Sequence, residues 1–188
     1  MALAFLQAEI DSARYGCHYS KILANSGIRR QSLIDQPDRQ SVRENTIRKE
    51  LLTAVRGFGN RTALFQRFPR DVLWRRVSIG VADFGTLKYA KCEPWVALSR
   101  GSRRVIDGAE NVDAFVGGEN IRENTNAVAR DFLEGKRYPP LICVDGPGGS
   151  LILVEGHTRA TAYVLVRADE PIEVLLGSST QMVEWVFY

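Results

Sequence analysis

The sequence is poor in the residues that build metal centres and disulfide frameworks. Its 188 residues include three widely spaced cysteines that form no C-x-x-C pair, namely Cys17, Cys92 and Cys143. Only two histidines are present, His18 and His157. Disulfide frameworks and zinc sites both need clustered cysteine or histidine residues. The scarcity predicts neither kind of site and favours a reducing, cytoplasmic compartment.

Long hydrophobic runs are also missing. No apolar stretch approaches the roughly 18–20 residues that a membrane helix needs. The opening MALAFL lacks a basic segment and soon meets Glu9 and Asp11, so it is interpreted as the start of an ordinary helix. With 45% hydrophobic and 25% charged residues, the composition is that of a globular chain without a membrane partner.

The small net charge of +3 hides an uneven distribution. Residues 1–76 hold 14 Lys/Arg against 7 Asp/Glu, whereas the remaining residues hold 11 against 15. A basic half is able to bind nucleic acid electrostatically, which makes DNA a candidate partner. The other interpretation is a solvated helical face, and both stay open at this point.

Residues 1–97 are expected to be mainly helical. The clearest prediction is a helix over Arg39–Arg56, with Asp38 as its cap and Gly57 at its end. Its apolar residues recur on one face, at Ile47, Leu51, Val55 and Phe58. Arg48 falls on the opposite, solvent-facing side of this pattern. A further short helix is predicted over Ala82–Tyr89.

The C-terminal part alternates helical and β-like patterns. The predicted order is a helix over 125–134, strands over 141–144 and 151–154, a helix over 158–168, a strand over 172–176 and a helix over 180–188. The glycine-rich turn Gly146–Gly149 joins two strands and lacks the Lys-Ser/Thr pair of a phosphate loop, so it predicts a hairpin. The step from the second strand to the third is expected to be a right-handed crossover between parallel strands. The predicted fold class is therefore α+β, a small mixed sheet with packed helices.

An anion site is predicted where the second strand meets the next helix. The first N–H groups of a helix lack internal acceptors, and the helix dipole favours negative charge there. At this point the sequence reads Gly156-His157-Thr158-Arg159. Gly156 would let a ligand approach the backbone, and Arg159 would supply a planar fork of donors. Thr158 would cap the helix or donate to a phosphate, and His157 would orient a phosphate or act as acid or base.

A catalytic carboxylate is expected next to this turn. Glu155 directly precedes it and is the first candidate for a base or a Mg²⁺ ligand. Glu119, Glu123 and Asp145 are its rivals. Arg103 and Arg104 would add positive charge from a neighbouring loop.

Three segments together carry a family resemblance: the G-x-x-x-PP entry to the first strand, the GHTRATAY turn and the PIEVLL strand. This order resembles the ParB/sulfiredoxin superfamily over roughly residues 98–188. The resemblance implies a nucleotide-phosphate site at Gly156–Arg159, which binds CTP in ParB, ATP in sulfiredoxin and ADP or ATP in free serine kinases. It also implies that Arg103 or Arg104 matches the family's arginine before its first helix.

Two positions depart from the family pattern. His157 stands where sulfiredoxin carries its catalytic cysteine, so the sulfinic-acid reductase reaction is excluded. Thr158 stands where ParB-like domains carry the first arginine of the glycine–acidic–Arg–Arg motif at this turn. The expected domains are thus a helical extension over 1–97 and a ParB/sulfiredoxin-like domain over 98–188.

The functional expectation is a nucleotide-binding protein that uses ATP or another nucleoside triphosphate with Mg²⁺, in phosphotransfer or nucleotide hydrolysis. The alternative is a DNA-associated protein that uses its basic N-terminal half, with the ParB-like domain as a nucleotide-gated or structural core. A third is a family member that mediates only protein contacts, because one fold hosts many functions.

Overall fold

The computed structural model describes residues 1–12, 14–117 and 120–188, and the chain divides into two compact units. The N-terminal unit is Met1–Arg70 and the C-terminal unit is Asp71–Tyr188. This boundary lies well before the one expected after residue 97. The reason is that residues 73–79 and 87–88 form strands that pair with the C-terminal sheet.

The N-terminal unit is helical in its described residues. Its elements are α1 (Ala2–Glu9), α2 (Gly16–Ser26), a π-helical turn (Gln31–Asp35), α3 (Val42–Arg56) and a 3-10 turn (Ala63–Phe65). Apolar side chains of this unit form a core that contains Leu6, Ile10, Tyr19, Leu23, Leu33, Ile34 and Leu51. Burial of these faces against one another stabilises the short helices, which would be marginal alone.

Helix α3 confirms the predicted helix but corrects two details. Its cap is Ser41, whose Oγ accepts from the N–H of Glu44 at 3.2 Å, and not Asp38. Arg48, predicted on the solvent side, is completely buried. Its guanidinium forms an ion pair with Glu44 and donates to the carbonyl of Leu33 at 2.8 Å. Burial of an arginine is tolerated because its donors are satisfied inside the unit.

The C-terminal unit combines a mixed sheet with helices, which confirms the α+β fold class. The strands are β1 (Leu73–Ile79), β2 (Leu87–Lys88), β3 (Leu141–Asp145), β4 (Leu151–Glu155) and β5 (Ile172–Ser178), in the sheet order β1-β5-β3-β4-β2. The helices are α4 (Trp95–Leu98), α5 (Val105–Asn111), α6 (Ile121–Leu133) and α7 (His157–Leu165). The strands β3 and β4 are almost entirely buried, so the core lies at the centre of the sheet.

The predicted hairpin of β3 and β4 is confirmed, but the predicted parallel crossover is wrong. Strand β3 lies between β4 and β5, antiparallel to the former and parallel to the latter. Strands β4 and β5 therefore run in opposite directions, with α7 connecting them. Sequence order alone could not show that β3 occupies the position between them.

Two predicted helices are replaced by other structure. The stretch predicted as a helix over Ala82–Tyr89 is a 3-10 helix (Val81–Thr86) followed by β2, which pairs in parallel with β4. The predicted helix over 180–188 is a single 3-10 turn, Met182–Glu184. Across the described ranges, no helix is both long enough and apolar enough to cross a membrane.

Candidate functional site

The candidate site is the junction of β4 and α7, defined here as residues Glu155–Arg159. Strand β4 ends at Glu155, Gly156 adopts a left-handed conformation with φ 99°, and α7 begins at His157. A Cβ on Gly156 would lie 2.6 Å from Cδ2 of Leu141 and 3.0 Å from Nη2 of Arg159. Glycine is therefore required by the backbone conformation and by interior packing, rather than by room for a ligand.

Arg159 points into the protein rather than towards solvent. It is buried, and its Nη1 donates to the carbonyl oxygen of Pro139 at 2.7 Å. Its Nη2 forms an ion pair with Glu155, four residues earlier. The two residues predicted as phosphate ligand and catalytic base thus bind each other. Their pairing ties the end of β4 and the first turn of α7 to the segment that enters β3.

The first turn of α7 is the place where the sequence predicts an anion site. Gly156 is its cap residue, and no side chain of the described residues caps this helix, Thr158 included. The N–H groups of His157, Thr158 and Arg159 precede the point at which helical acceptors begin. Thr158 is half-exposed, so its hydroxyl lies within reach of solvent beside these groups. A negatively charged group would be stabilised there by the helix dipole.

His157 is held in an aromatic cluster with Tyr89 and Trp95. Its ring lies 6.0 Å from that of Tyr89 at an interplanar angle of 11°, and 5.1 Å from that of Trp95 at 31°. Its Nε2 accepts a hydrogen bond from the N–H of Ala90 at 3.4 Å. This bond assigns the proton of the neutral imidazole to Nδ1. The lone pair that a general base needs is therefore engaged by the backbone.

Tyr89 also contacts α7 through its hydroxyl group. Its hydroxyl hydrogen-bonds Oγ1 of Thr161 at 2.7 Å, and Thr161 donates in turn to the carbonyl of His157 at 2.8 Å. Burial raises the pKa of Tyr89, so this hydroxyl stays protonated. The contacts of Tyr89 and Trp95 with His157, and of Tyr89 with Thr161, could not be predicted, because nothing in the pattern of residues 77–102 links that segment to a helix that begins at residue 157.

The two predicted loop arginines have different surroundings. Arg103 donates from Nε to the carbonyl of Tyr89 at 2.9 Å, and from Nη1 to the main-chain oxygen of Tyr188 at 2.8 Å. Burial lowers the pKa of its guanidinium. Arg104 remains 49% exposed and lies 3.6 Å from Asp107. The loop does approach the candidate site, but Arg103 contacts the Tyr89 backbone there.

The rival carboxylates do not join the junction. Asp145 ends β3 and accepts from the hydroxyl of Ser178 at the end of β5. Since β3 and β4 are antiparallel, Asp145 lies at the end of the sheet opposite to Glu155, about 13 Å away along a five-residue strand. Glu123 lies in the first turn of α6 and pairs with Arg122 at 3.2 Å. Glu119 falls outside the described residues.

Among the described residues, neither a metal-binding cluster nor one of the two cavities lies at the junction. Within the described part of the chain, no group of three or more His, Cys, Asp or Glu side chains is placed to hold a metal ion. Two open cavities of about 300 Å³ lie elsewhere. One is lined by Tyr15, His18, Lys21, Ile22, Ala54 and Val55, and the other by residues 115–117 and 120–123.

The expected Mg²⁺ does not fit the junction as it stands. Glu155 is the carboxylate of the junction, and its charge is already compensated by Arg159. A cation would have to compete with a buried guanidinium for the same oxygens. Comparisons with protein-family models, curated proteins and solved structures give no match to this chain.

Proposed function

We propose that the C-terminal unit binds a nucleoside triphosphate through its phosphates, at the junction of β4 and α7. The single observation that carries this proposal is the start of α7, a nine-residue helix that follows a left-handed glycine without a side-chain cap from the described residues. Such a start presents N–H donors and the positive end of the helix dipole to an anion. The resemblance of Gly156–Arg159 to the ParB/sulfiredoxin phosphate turn supports a nucleotide as the source of that anion.

Each residue of the turn has a defined part in this proposal. The main-chain N–H groups of Thr158 and Arg159 and the hydroxyl of Thr158 donate to phosphate oxygens. The side chain of Arg159 does not contact the ligand. Its pairing with Glu155 and its bond to Pro139 hold the turn in shape before a ligand arrives, which lowers the cost of ordering on binding.

Binding has better support than phosphotransfer or hydrolysis. A base or a Mg²⁺ ligand needs a carboxylate with a free oxygen, and Glu155 has its charge committed to Arg159. Mg²⁺ commonly reaches nucleotide sites on the phosphates themselves and keeps several waters. The proposed activity is therefore nucleotide binding alone.

Thermal unfolding with and without nucleotides tests the proposal. All three tryptophans, Trp74, Trp95 and Trp185, belong to the C-terminal unit, so tryptophan fluorescence reports on that unit. A nucleotide present at 100 times its Kd should stabilise the native state by about 2.7 kcal/mol and raise the Tm. ATP, CTP, GTP and ADP are compared with Mg²⁺, and inorganic triphosphate shows whether the base contributes. If none of these ligands raises the Tm, the proposal is wrong.

A negative charge introduced in the first turn of α7 should weaken nucleotide binding without destabilising the free protein. Thr158→Glu should weaken nucleotide binding at least tenfold, because its carboxylate competes with the phosphates for the same donors. The same charge should leave the free protein as stable or raise its stability by about 0.3–1 kcal/mol through the helix dipole. Thr46→Glu is the matched control, since Thr46 is an exposed threonine on α3. A loss of binding in both variants would contradict a local effect at the junction.

A second candidate function is DNA binding by the N-terminal unit. That unit holds 12 Lys/Arg against 6 Asp/Glu, and several of its basic side chains are exposed, namely Lys21, Arg29, Arg39, Arg43, Lys49, Arg67 and Arg70. Arg30, Arg48 and Arg56 are instead paired with acids inside the unit. Duplex binding should weaken steeply from about 50 to 200 mM salt if this surface contacts phosphates. Absence of binding at low salt would remove this candidate.

A further inference from the structure

One peptide group lies between Arg103 and the candidate site. The carbonyl of the Tyr89–Ala90 peptide accepts from Nε of Arg103 at 2.9 Å, while the N–H of the same peptide donates to Nε2 of His157 at 3.4 Å. The C=O and N–H of a planar trans peptide point in opposite directions. The guanidinium and the imidazole therefore lie on opposite sides of this group, connected through it by two hydrogen bonds.

Arg103 holds this peptide firmly. The N–H of Tyr89 donates to the carbonyl of Arg103 at 2.7 Å, so the two residues exchange hydrogen bonds. The remaining guanidinium nitrogens donate to main-chain oxygens of Tyr188 and Phe187, at 2.8 and 3.4 Å. Among the described residues no Asp or Glu forms an ion pair with Arg103. Its positive charge therefore acts on backbone oxygens, including that of Tyr89.

The imidazole of His157 is held in the orientation in which Nε2 accepts from the N–H of Ala90. Its ring is nearly parallel to that of Tyr89, and Trp95 lies at a similar distance from both rings, 5.1 Å from His157 and 5.2 Å from Tyr89. A ring turned out of this plane would lose these contacts, and a ring flipped by 180° within the plane would lose the bond from Ala90. The orientation of His157 is thus fixed by the same segment that Arg103 fixes.

We propose that Arg103 is a positioning residue that sets the tautomer of His157 through the Tyr89–Ala90 peptide. This inference rests on the proposed function, since it assigns the role of His157 at the phosphate site. The guanidinium polarises the peptide and makes the N–H of Ala90 a stronger donor, because hydrogen bonds in a chain reinforce one another. The stronger donor keeps the lone pair on Nε2 and the proton on Nδ1.

The fixed tautomer decides what His157 offers to a ligand. With its proton on Nδ1, the neutral imidazole is a donor at that nitrogen, and its Nε2 is not available as a base. An imidazole whose Nε2 is engaged in this way fits a site that binds phosphate without acting on it. Arg103 then serves the site without touching the ligand, in place of the direct phosphate contact that its sequence position suggests.

Nitrogen NMR of the full chain labelled with ¹⁵N-histidine tests this inference without any nucleotide. Protonated and unprotonated ring nitrogens have well-separated shifts, and the chain has only two histidines, so His18→Asn assigns both. Spectra are recorded at about pH 8.5, well above the ordinary histidine pKa of about 6.5. His157 should show the Nδ1–H tautomer, whereas free histidine side chains favour Nε2–H.

Two variants of Arg103 show whether this residue sets the tautomer of His157 or only stabilises the fold. Arg103→Met frees the Tyr89–Ala90 peptide to move, and loss of the bond from Ala90 should shift the tautomer ratio of His157 towards Nε2–H by about fivefold, the factor that one typical net hydrogen bond contributes. Arg103→Lys keeps a positive charge and should retain part of the wild-type ratio. The ratio at His18 is the internal reference in every spectrum and should not change.

The outcomes are distinct from those of the nucleotide experiment. A wild-type His157 in the Nε2–H form would overturn the inference, and so would an unchanged ratio in Arg103→Met with native tryptophan fluorescence. If Arg103→Met does not fold, the wild-type tautomer and Arg103→Lys decide the question. A chain that binds no nucleotide but shows these tautomer shifts would refute the proposed function and leave the positioning role in place.

Discussion

Helices α3 and α7 begin in similar ways, and their difference identifies the candidate site. Each carries a buried arginine paired with a glutamate four residues earlier, Arg48 with Glu44 and Arg159 with Glu155. Each arginine also donates to a main-chain carbonyl of another segment, that of Leu33 or of Pro139. The arginine is therefore a structural tie in both helices, and a buried Arg by itself does not indicate a ligand.

The two helices differ at the cap residue. Ser41 occupies the N–H of Glu44 in the first turn of α3, whereas the first turn of α7 follows Gly156 and receives no side-chain cap from the described residues. A serine cap satisfies a donor within the protein, and a glycine leaves that donor for a ligand or for water. The feature that distinguishes α7 from α3 is therefore the missing side-chain cap, and this feature, rather than Arg159, indicates an anion site.

The largest expected effect is at Arg48. Arg48→Met removes every donor of a fully buried guanidinium, so Glu44, the side chain of Asn45 and two main-chain carbonyls lose Arg48 as a partner. We expect a loss of about 4 kcal/mol in the free energy of unfolding, as for other broken buried ion pairs. Urea unfolding followed by circular dichroism at 222 nm measures it. A loss below about 1 kcal/mol, typical of a surface pair, would show that this tie is not structural.

Arg159→Met is expected to cost somewhat less, about 3 kcal/mol, because the guanidinium of Arg159 has two hydrogen-bond acceptors whereas that of Arg48 has four. Tryptophan fluorescence in urea follows this loss in the C-terminal unit. The double variant Glu155→Gln/Arg159→Met should recover part of it, since no unpaired charge then remains buried. If the double variant is no more stable than Arg159→Met, the cost does not come from an orphaned carboxylate, and the parallel with Arg48 fails.

Gly156→Ala tests the packing explanation for the glycine at the junction. The new methyl group would meet Leu141 and would also force a left-handed alanine, so we expect a loss of about 2–4 kcal/mol. Gly149→Ala is the matched control, with φ 76° and no described heavy atom within 4 Å of its added Cβ. It should cost only about 1 kcal/mol for the backbone conformation. Equal losses in the two variants would contradict the packing argument.

The smallest effects compare the two caps directly. Ser41→Ala should destabilise the protein by about 1 kcal/mol, because a first-turn N–H loses its acceptor. Thr158→Ala should change stability by less than about 0.5 kcal/mol, as at an ordinary surface position. Urea unfolding measures both. A loss near 1 kcal/mol in Thr158→Ala would reveal a capping role and would weaken the case for an open phosphate site.

Local patterns predicted the elements whose determinants are close in sequence. The hairpin of β3 and β4 follows from two apolar runs around a glycine turn, and α3 follows from apolar residues at helical spacing. The sheet order could not be predicted, because β3 separates β4 from β5 and β1 joins from residues 73–79. These pairings depend on contacts between residues as much as about 100 positions apart, for which a single sequence carries no periodic signal.

The sequence by itself determined that a buried strand ends and a helix begins at residues 155–159, because the apolar run Leu151–Val154 is followed by a glycine turn and a helical pattern. It could not determine where the side chains of that junction point. The tertiary structure decided that Arg159 binds Glu155 and Pro139, and that Arg103 reaches His157 through the Tyr89–Ala90 peptide. The physical reason is that backbone conformation is set by neighbouring residues, whereas a buried charge takes the partners that the packed fold brings to it.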